Sequence, residues 1–367
     1  LRNINMIRVV KGLSEAKKAI SDIRIKQKEL MNEKGFSGKV QNILSEVEQY
    51  GDKALIKYTE EFDHVKLQNI SVSDELLKKS WDNLDQSLKD SLSVAAKRIK
   101  DFHEISKPKD WYDQINKYGI KNIPLEKVGI YIPGGNAPLL STVLMTAIPA
   151  RVAGVSEIYI STPPSFNGKP HPSVLAACYL AKVDKVYSIG GAQSIASFAY
   201  GTDTIPKVDI ICGPGNRWVT EAKRQVFGEV GIDGLYGPTE TFLIADSSSN
   251  PTMCAADLLA QAEHDVLARA TMLTNSHQLA QEVSSQIETR LGLMTRGAIA
   301  SKSIENRGLI AVLDDLEDAI DLTNQFAPEH LSLVVDDTKM FLDEIKNVGV
   351  IFVGEFSQRI FCVTQQY

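Results

Sequence analysis

The side chains best suited to chemistry lie in two short stretches. In Ala327-Pro328-Glu329-His330-Leu331, adjacent Glu and His sit in a Pro-led turn directly before an apolar run, Leu331–Val335. A carboxylate and an imidazole held there could divide general-base work between a substrate and a water, each contributing about 10²–10⁴-fold. The alternative is an exposed loop pair with no chemistry. Gln261-Ala262-Glu263-His264 closes a helical pattern that starts near Thr252, and the three-residue spacing puts Gln261 and His264 on one helical face within reach of one ion. Glutamine is a poor metal ligand, and a His at a helix C-terminus also complements the dipole, so the pattern alone leaves both readings open. Cys212 is the only thiol suitably placed at a strand end, but no His accompanies it and its neighbours are apolar; a buried structural thiol is expected. His64 and His103, isolated in helical stretches, read as surface or packing residues.

A third kind of candidate is made of backbone. Tyr131-Ile132-Pro133-Gly134-Gly135, Gly190-Gly191-Ala192-Gln193 and Gly213-Pro214-Gly215-Asn216 each follow an apolar run and precede a helical pattern. In open α/β sheets ligands sit beyond the carboxyl ends of strands, where glycines let backbone amides approach a phosphate or a nicotinamide ring. Each glycine alone could equally be a tight turn. No Gly-x-Gly-x-x-Gly fingerprint occurs, so an ordinary dinucleotide site is not indicated.

The elements that must hold these residues change character along the 367-residue chain. Up to about Lys121 apolar residues recur at helical spacing, as in Val40, Ile43, Leu44 and Val47, and Ser73-Asp74-Glu75 reads as an N-cap with an acidic first turn. From Val128 short apolar runs alternate with helical patterns, the rhythm of a parallel α/β fold. The expected strands are Val128–Ile132, Glu157–Ser161, Lys185–Ile189, Val208–Cys212, Thr241–Ala245, Arg269–Thr274, Leu309–Leu313, Leu331–Val335 and Val350–Val353. Nine strands are many for one sheet, and the Gly-rich break at Gly228–Pro238 suggests a crossing between two. No fixed-period repeat occurs.

Composition removes several classes. With 43% hydrophobic and 23% charged residues the chain is a large globular protein rather than a disordered or collagen-like one. A net charge of −6 argues against nucleic acid held by counterion release. Cys178, Cys212, Cys254 and Cys362 form no Cys-x-x-Cys pair, which speaks against a zinc ribbon and for a reducing, cytoplasmic setting. No apolar run approaches the ~20 residues of a membrane span, and the charged segment Leu1–Lys34 does not read as a signal peptide.

These pieces in this order resemble the histidinol dehydrogenase family. The resemblance runs through Val128–Gly135, Ala137–Gly154, Gly190–Gly201, Ile205–Gly228, Gly237–Asp246, Ala255–His264, Ala327–Leu331 and Gly349–Gly354. It implies two Rossmann-like parallel-sheet domains with a helical N-terminal region, divided as 1–127 plus 237–323 and 128–236 plus 324–367. It further implies oxidation of L-histidinol through the aldehyde to L-histidine, the last steps of histidine biosynthesis, with two NAD reduced in turn and with zinc. By position, Tyr131, Gln193 and Asn216 correspond to NAD contacts, Gln261 and His264 to two zinc ligands that also meet substrate, Thr239 to a substrate-binding Ser, and Glu329 and His330 to the acid–base pair, His330 also touching substrate. The resemblance implies a homodimer, with a tail crossing between subunits.

The sequence departs from the family after Gly354. Glu355 to Tyr367 contain neither the Asp nor the His that would complete the zinc set, and Cys362 stands alone as a substitute. The C-terminal tail domain is therefore expected to be missing and the dimer weakened. An incomplete or frame-shifted copy of a working enzyme and a divergent, non-catalytic nucleotide-binding relative or subunit partner both fit.

Overall fold

The computed structural model describes residues 6–31, 35–134, 138–165, 167–236 and 239–355. The strands are β1 (Arg8–Lys11), β2 (Ser71–Val72), β3 (Trp111–Asp113), β4 (Tyr118–Ile120), β5 (Lys127–Tyr131), β6 (Glu157–Ser161), β7 (Lys185–Tyr187), β8 (Ile210–Cys212), β9 (Gly231–Ile232), β10 (Glu240–Ala245), β11 (Arg269–Thr274), β12 (Gly308–Val312), β13 (His330–Val334) and β14 (Val350–Val353). All nine runs expected from Val128 onward form strands, each within a few residues. β1 to β4 and β9 were not signalled: they are two to four residues long and too short for a period to show.

The chain folds as two units, one of residues 1–33 with 238–367 and one of residues 34–237. The sheet of the first has the order β1-β12-β11-β10-β13-β14, with every pairing parallel. Helices Pro251–Ala262, His277–Leu291 and Gly297–Arg307 cover one face, contributing Leu258, Val283 and Ile304 to its core. Helices Leu13–Met31 and Glu317–Phe326 cover the other, through Ala19, Ile20, Ile320 and Phe326. Coverage on both faces explains why β10 and β12 are buried at every residue, and why β12 and the Phe242–Ala245 part of β10 read as unbroken apolar runs.

The second unit repeats the plan with the order β2-β7-β6-β5-β8-β9, in which only β2 is antiparallel to its neighbour. Phe36–Tyr50, Asp52–Asp63, Gly191–Tyr200 and Arg217–Val226 pack on one face, and Asp74–Asp82, Gln86–Ser106, Leu140–Ala153 and Pro172–Leu180 on the other. Ser73 caps its helix as its sequence predicts, accepting from the Leu76 amide. β3 and β4 stand apart as a two-stranded hairpin.

This division corrects the expected one. Residues 34–127 belong with the second sheet, because β2 pairs with β7 and the helices between Phe36 and Asp63 bury Val40, Leu44 and Leu55 in one core with Tyr131 and Ile195. Residues 324–355 belong with the first, because β13 pairs with β10 and β14 with β13. The crossing falls in the Gly-rich break, at 237/238, and Gly237 and Pro238 lie outside the described residues.

Candidate functional site

In the second unit the three glycine loops leave the carboxyl ends of β5, β7 and β8. The chain goes from β5 to β6 to β7 on one side, then returns to place β8 on the other side of β5. That reversal opens a crevice between β5 and β8, the usual ligand position in such a sheet. Tyr131 ends β5 and Asn216 begins the helix after β8, so they flank the crevice; Gly135 and Ala137 lie outside the described residues. Gly213 has φ +109°, and a Cβ there would stand 2.2 Å from the Tyr131 carbonyl oxygen, so only glycine fits.

The Gly213 loop is held by charge. Asp233 accepts from the Gly213 amide at 2.7 Å, Lys223 donates to the Gly213 carbonyl at 3.1 Å, and Lys223 and Asp233 pair with each other. Lys223 is 2% exposed. Its sequence signal is one lysine in an amphipathic helix, indistinguishable from a surface residue.

Gln193 is buried, and its Oε1 has no donor among the described residues; the same holds for the Ser194 hydroxyl. A buried acceptor without a donor is costly, and a ligand amide or hydroxyl would relieve it. The Tyr131 hydroxyl accepts from the Gly191 amide at 3.4 Å, which joins the first two loops, and burial pushes its pKa up to about 12. Asn216 is spoken for locally: its Oδ1 accepts from the Trp218 and Val219 amides as the helix N-cap. This edge therefore fits NAD through backbone approach, Tyr131 and the unsatisfied Gln193 oxygen.

In the first unit the predicted residues gather at the opposite end of the strands. Thr239 precedes β10, Glu329 precedes β13 and His330 begins it. The Thr239 hydroxyl donates to Glu329 Oε2 at 2.9 Å, and the Glu240 amide donates to the same oxygen at 3.3 Å. His330 Nδ1 lies 3.7 Å from that oxygen and 3.2 Å from the Glu240 carbonyl, and its ring stacks on Phe352. Ala327 takes a left-handed φ of 47°, a strained turn that swings Glu329 back toward Thr239. The carboxylate–imidazole pair is thus assembled, with one partner exposed and the other half-buried.

Gln261 and His264 reach the same edge, because the turn they open ends where the Arg269 amide donates to the Thr239 carbonyl at 3.1 Å. They do not share a helical face as expected. The helix ends at Ala262, Gln261 is 1% exposed, and His264 is exposed in the following turn, its amide bonded back to the Gln261 carbonyl. Among the described residues no three His, Cys, Asp or Glu side chains are grouped to hold a metal ion. Cys362 lies outside them. One amide and one imidazole fall short of the three or four protein ligands zinc takes, so the described residues do not complete a zinc site.

Sequence reasoning missed the ion network behind this edge. Glu240, nearly buried, bridges Arg24 at 3.2 Å and Arg269 at 2.7 Å, and Arg24 also donates to the Phe326 carbonyl just before the Ala327 turn. The three residues are far apart in sequence, which left no local pattern to find. Cys212, expected to be buried, is part-buried at its strand end, and burial pushes its thiol up to about 12; His64 closes a helix in a left-handed conformation, and His103 is buried with its pKa lowered by desolvation.

Fold and residues together define an α/β protein with a strand-end crevice on one sheet and a carboxylate–imidazole pair at the edge of the other. The sequence model of the family described as histidinol dehydrogenase matches residues 26–362. Two similar relatives are histidinol dehydrogenases, from Dehalococcoides mccartyi strain ATCC BAA-2266 (46% identical, covering 86% of this chain and 73% of that protein) and Prochlorococcus marinus strain SARG (47%, covering 87% and 73%). The crystal structure of histidinol dehydrogenase from Elizabethkingia anophelis superposes with a TM-score of 0.86 at 34% identity, over 96% of this chain and 81% of that one. The chain belongs to the histidinol dehydrogenase family, oxidoreductases of histidine biosynthesis.

Proposed function

We propose that this chain oxidises L-histidinol through the aldehyde to L-histidine with two NAD in turn. The observation that carries the reading is the convergence of Thr239, the Glu240 amide and His330 on Glu329. NAD, when bound, accepts the hydride; Tyr131, Gln193 and Asn216 are proposed to hold it. His330 takes the hydroxyl proton as the alcohol becomes an aldehyde. Glu329, oriented by Thr239, then removes a proton from the water that adds to the aldehyde, giving the hydrate from which the second hydride leaves. Gln261 and His264 are proposed to meet substrate and to be two donors to the zinc that the family resemblance implies, an ion whose ligand set the described residues leave incomplete.

The same reading includes a homodimer and a reducing compartment, the cytoplasm, where the free thiols Cys178, Cys212 and Cys254 persist. No helix among the described residues is long and apolar enough to cross a membrane.

The test is incubation with histidinol and NAD+, with and without a zinc chelator, following NADH absorbance. Turnover is expected, and Glu329→Gln should slow aldehyde oxidation at least ten-fold more than alcohol oxidation, since only the second step needs an activated water. Equal loss in both steps removes the assigned role. The incomplete zinc set favours one other reading, a nucleotide-binding relative without catalysis, and NAD binding without turnover would select it.

A further inference from the structure

In the second unit, helix Asp52–Asp63 lies against helix Gly191–Tyr200 and runs the other way. Its first residue, Asp52, accepts from the Thr204 amide at 3.4 Å and from the Thr204 hydroxyl, just past the end of the second helix. A Cβ on Gly51 would likewise stand 3.8 Å from Thr202. At about 1.5 Å per residue the two helices have similar lengths, so the last residue of the one, Asp63, comes level with the glycine turn that starts the other. The chain beyond agrees: Val65 stands 3.5 Å from where a Cβ on Gly168 would be, and the Gly168 carbonyl accepts from Ser188, directly after β7, at 3.1 Å. Asp63 thus reaches the carboxyl end of the sheet, where burial and then its negative charge raise the pKa of the Tyr131 hydroxyl.

Two buried acceptors at this turn, Asp63 Oδ2 and Gln193 Oε1, have no donor among the described residues. Gln193 is 1% exposed, and its Oε1 folds back to within 2.6 Å of the place a Cβ on Gly191 would take. A carboxylate at a helix C-terminus also opposes the helix dipole, so the fold gains nothing from Asp63. A ligand that satisfies both oxygens must bring donors. A phosphate brings none and is repelled, whereas the vicinal hydroxyls of a ribose bring two. We propose that Asp63 accepts from the diol of a ribose in the bound dinucleotide. The inference rests on the reading that NAD is the cofactor, and deepens it with a residue that neither the local sequence pattern nor the family resemblance singled out.

Fluorescence titration of the full chain with NADH and NADPH tests it, with urea denaturation confirming that each variant is folded. The wild-type chain should bind NADH. Asp63→Asn keeps the shape and removes the charge, and should weaken NADH binding about ten-fold. Asp52→Asn, at the other end of the same helix, should leave it unchanged; an equal loss there would make the effect one of helix placement and overturn the inference. NADPH tells the two riboses of the cofactor apart, because its extra phosphate sits on the adenosine ribose. If Asp63 meets that ribose, the wild-type chain should bind NADPH about ten-fold more weakly than NADH, and Asp63→Asn should bind both alike. If Asp63 meets the nicotinamide ribose, the variant should lose the same factor for both. NADH binding that Asp63→Asn leaves unchanged overturns the inference alone; a wild-type chain that does not bind NADH overturns the cofactor reading with it.

Discussion

In the second sheet β7-β6-β5-β8-β9 occupy the same spatial order as β12-β11-β10-β13-β14 in the first, and each sheet takes one more strand, β2 or β1, from earlier in the chain. Yet the second gathers its candidate residues at the carboxyl ends of its strands and the first at the amino ends. The carboxyl edge is built from glycine turns and helix starts, where backbone amides are available to a cofactor. The amino edge is built from side chains: helix ends and strand starts bring Thr239 within hydrogen-bonding range of Glu329 and His330 within 3.7 Å of it, with arginines behind them. One topology therefore supports two kinds of site. Strand order locates the first kind; only the residues locate the second.

If that contrast is right, the two edges should fail differently. At the carboxyl edge a single buried ion pair holds a backbone loop, so Lys223→Met should be the most damaging change. It leaves Asp233 without its partner and should cost about 3–5 kcal/mol. Urea denaturation reads the stability, and fluorescence titration with NADH should show weakened binding because the Gly213 loop is released. Unchanged NADH affinity in a folded variant would separate the ion pair from the cofactor edge. At the amino edge the charge is shared. Glu240→Ala leaves Arg269 buried but Arg24 partly in solvent, and the expected cost is about 2 kcal/mol by the same denaturation. A loss equal to that of Lys223→Met would mean that the network is no more forgiving than the single pair.

How far each edge could be read in advance follows from the same difference. The glycine loops were legible because a turn between a strand and a helix needs residue types that stand out, and Gly213 and Gly191 take the left-handed φ that such turns demand. Glu329 and His330 were legible as an adjacent pair beside a proline. Lys223, Glu240 and Arg24 were not, because what distinguishes them is burial against a partner 10, 29 or 216 residues away, which periodicity does not record. The assignment of 34–127 and 324–355 to the wrong sheets has the same origin. Strand existence is local, but strand neighbours are fixed by long-range pairing such as β13 with β10. Gln261 and His264 show the limit of spacing itself, since the helix stops between them and one is buried while the other is not.

The smallest effect compares two carboxyls. Glu329 has two donors on one oxygen, whereas Asp63, at the end of a helix in the second unit, has an Oδ2 that is buried without a donor among the described residues. Burial pushes the Asp63 carboxyl from 3.8 up to about 6, against the pull of His64. The folded protein therefore holds this proton more tightly than the unfolded chain, and stability falls as pH rises from about 4 through about 6. Asp63→Asn removes the ionisation. It should stabilise the protein at pH 7 by on the order of 1 kcal/mol, allowing for solvent on the open side of the carboxyl, and should change nothing below about pH 4. Urea midpoints at the two pH values check the sign. A variant less stable at pH 7 would mean that Asp63 has a donor in solution, and that the second unit, like the amino edge of the first, satisfies its acids.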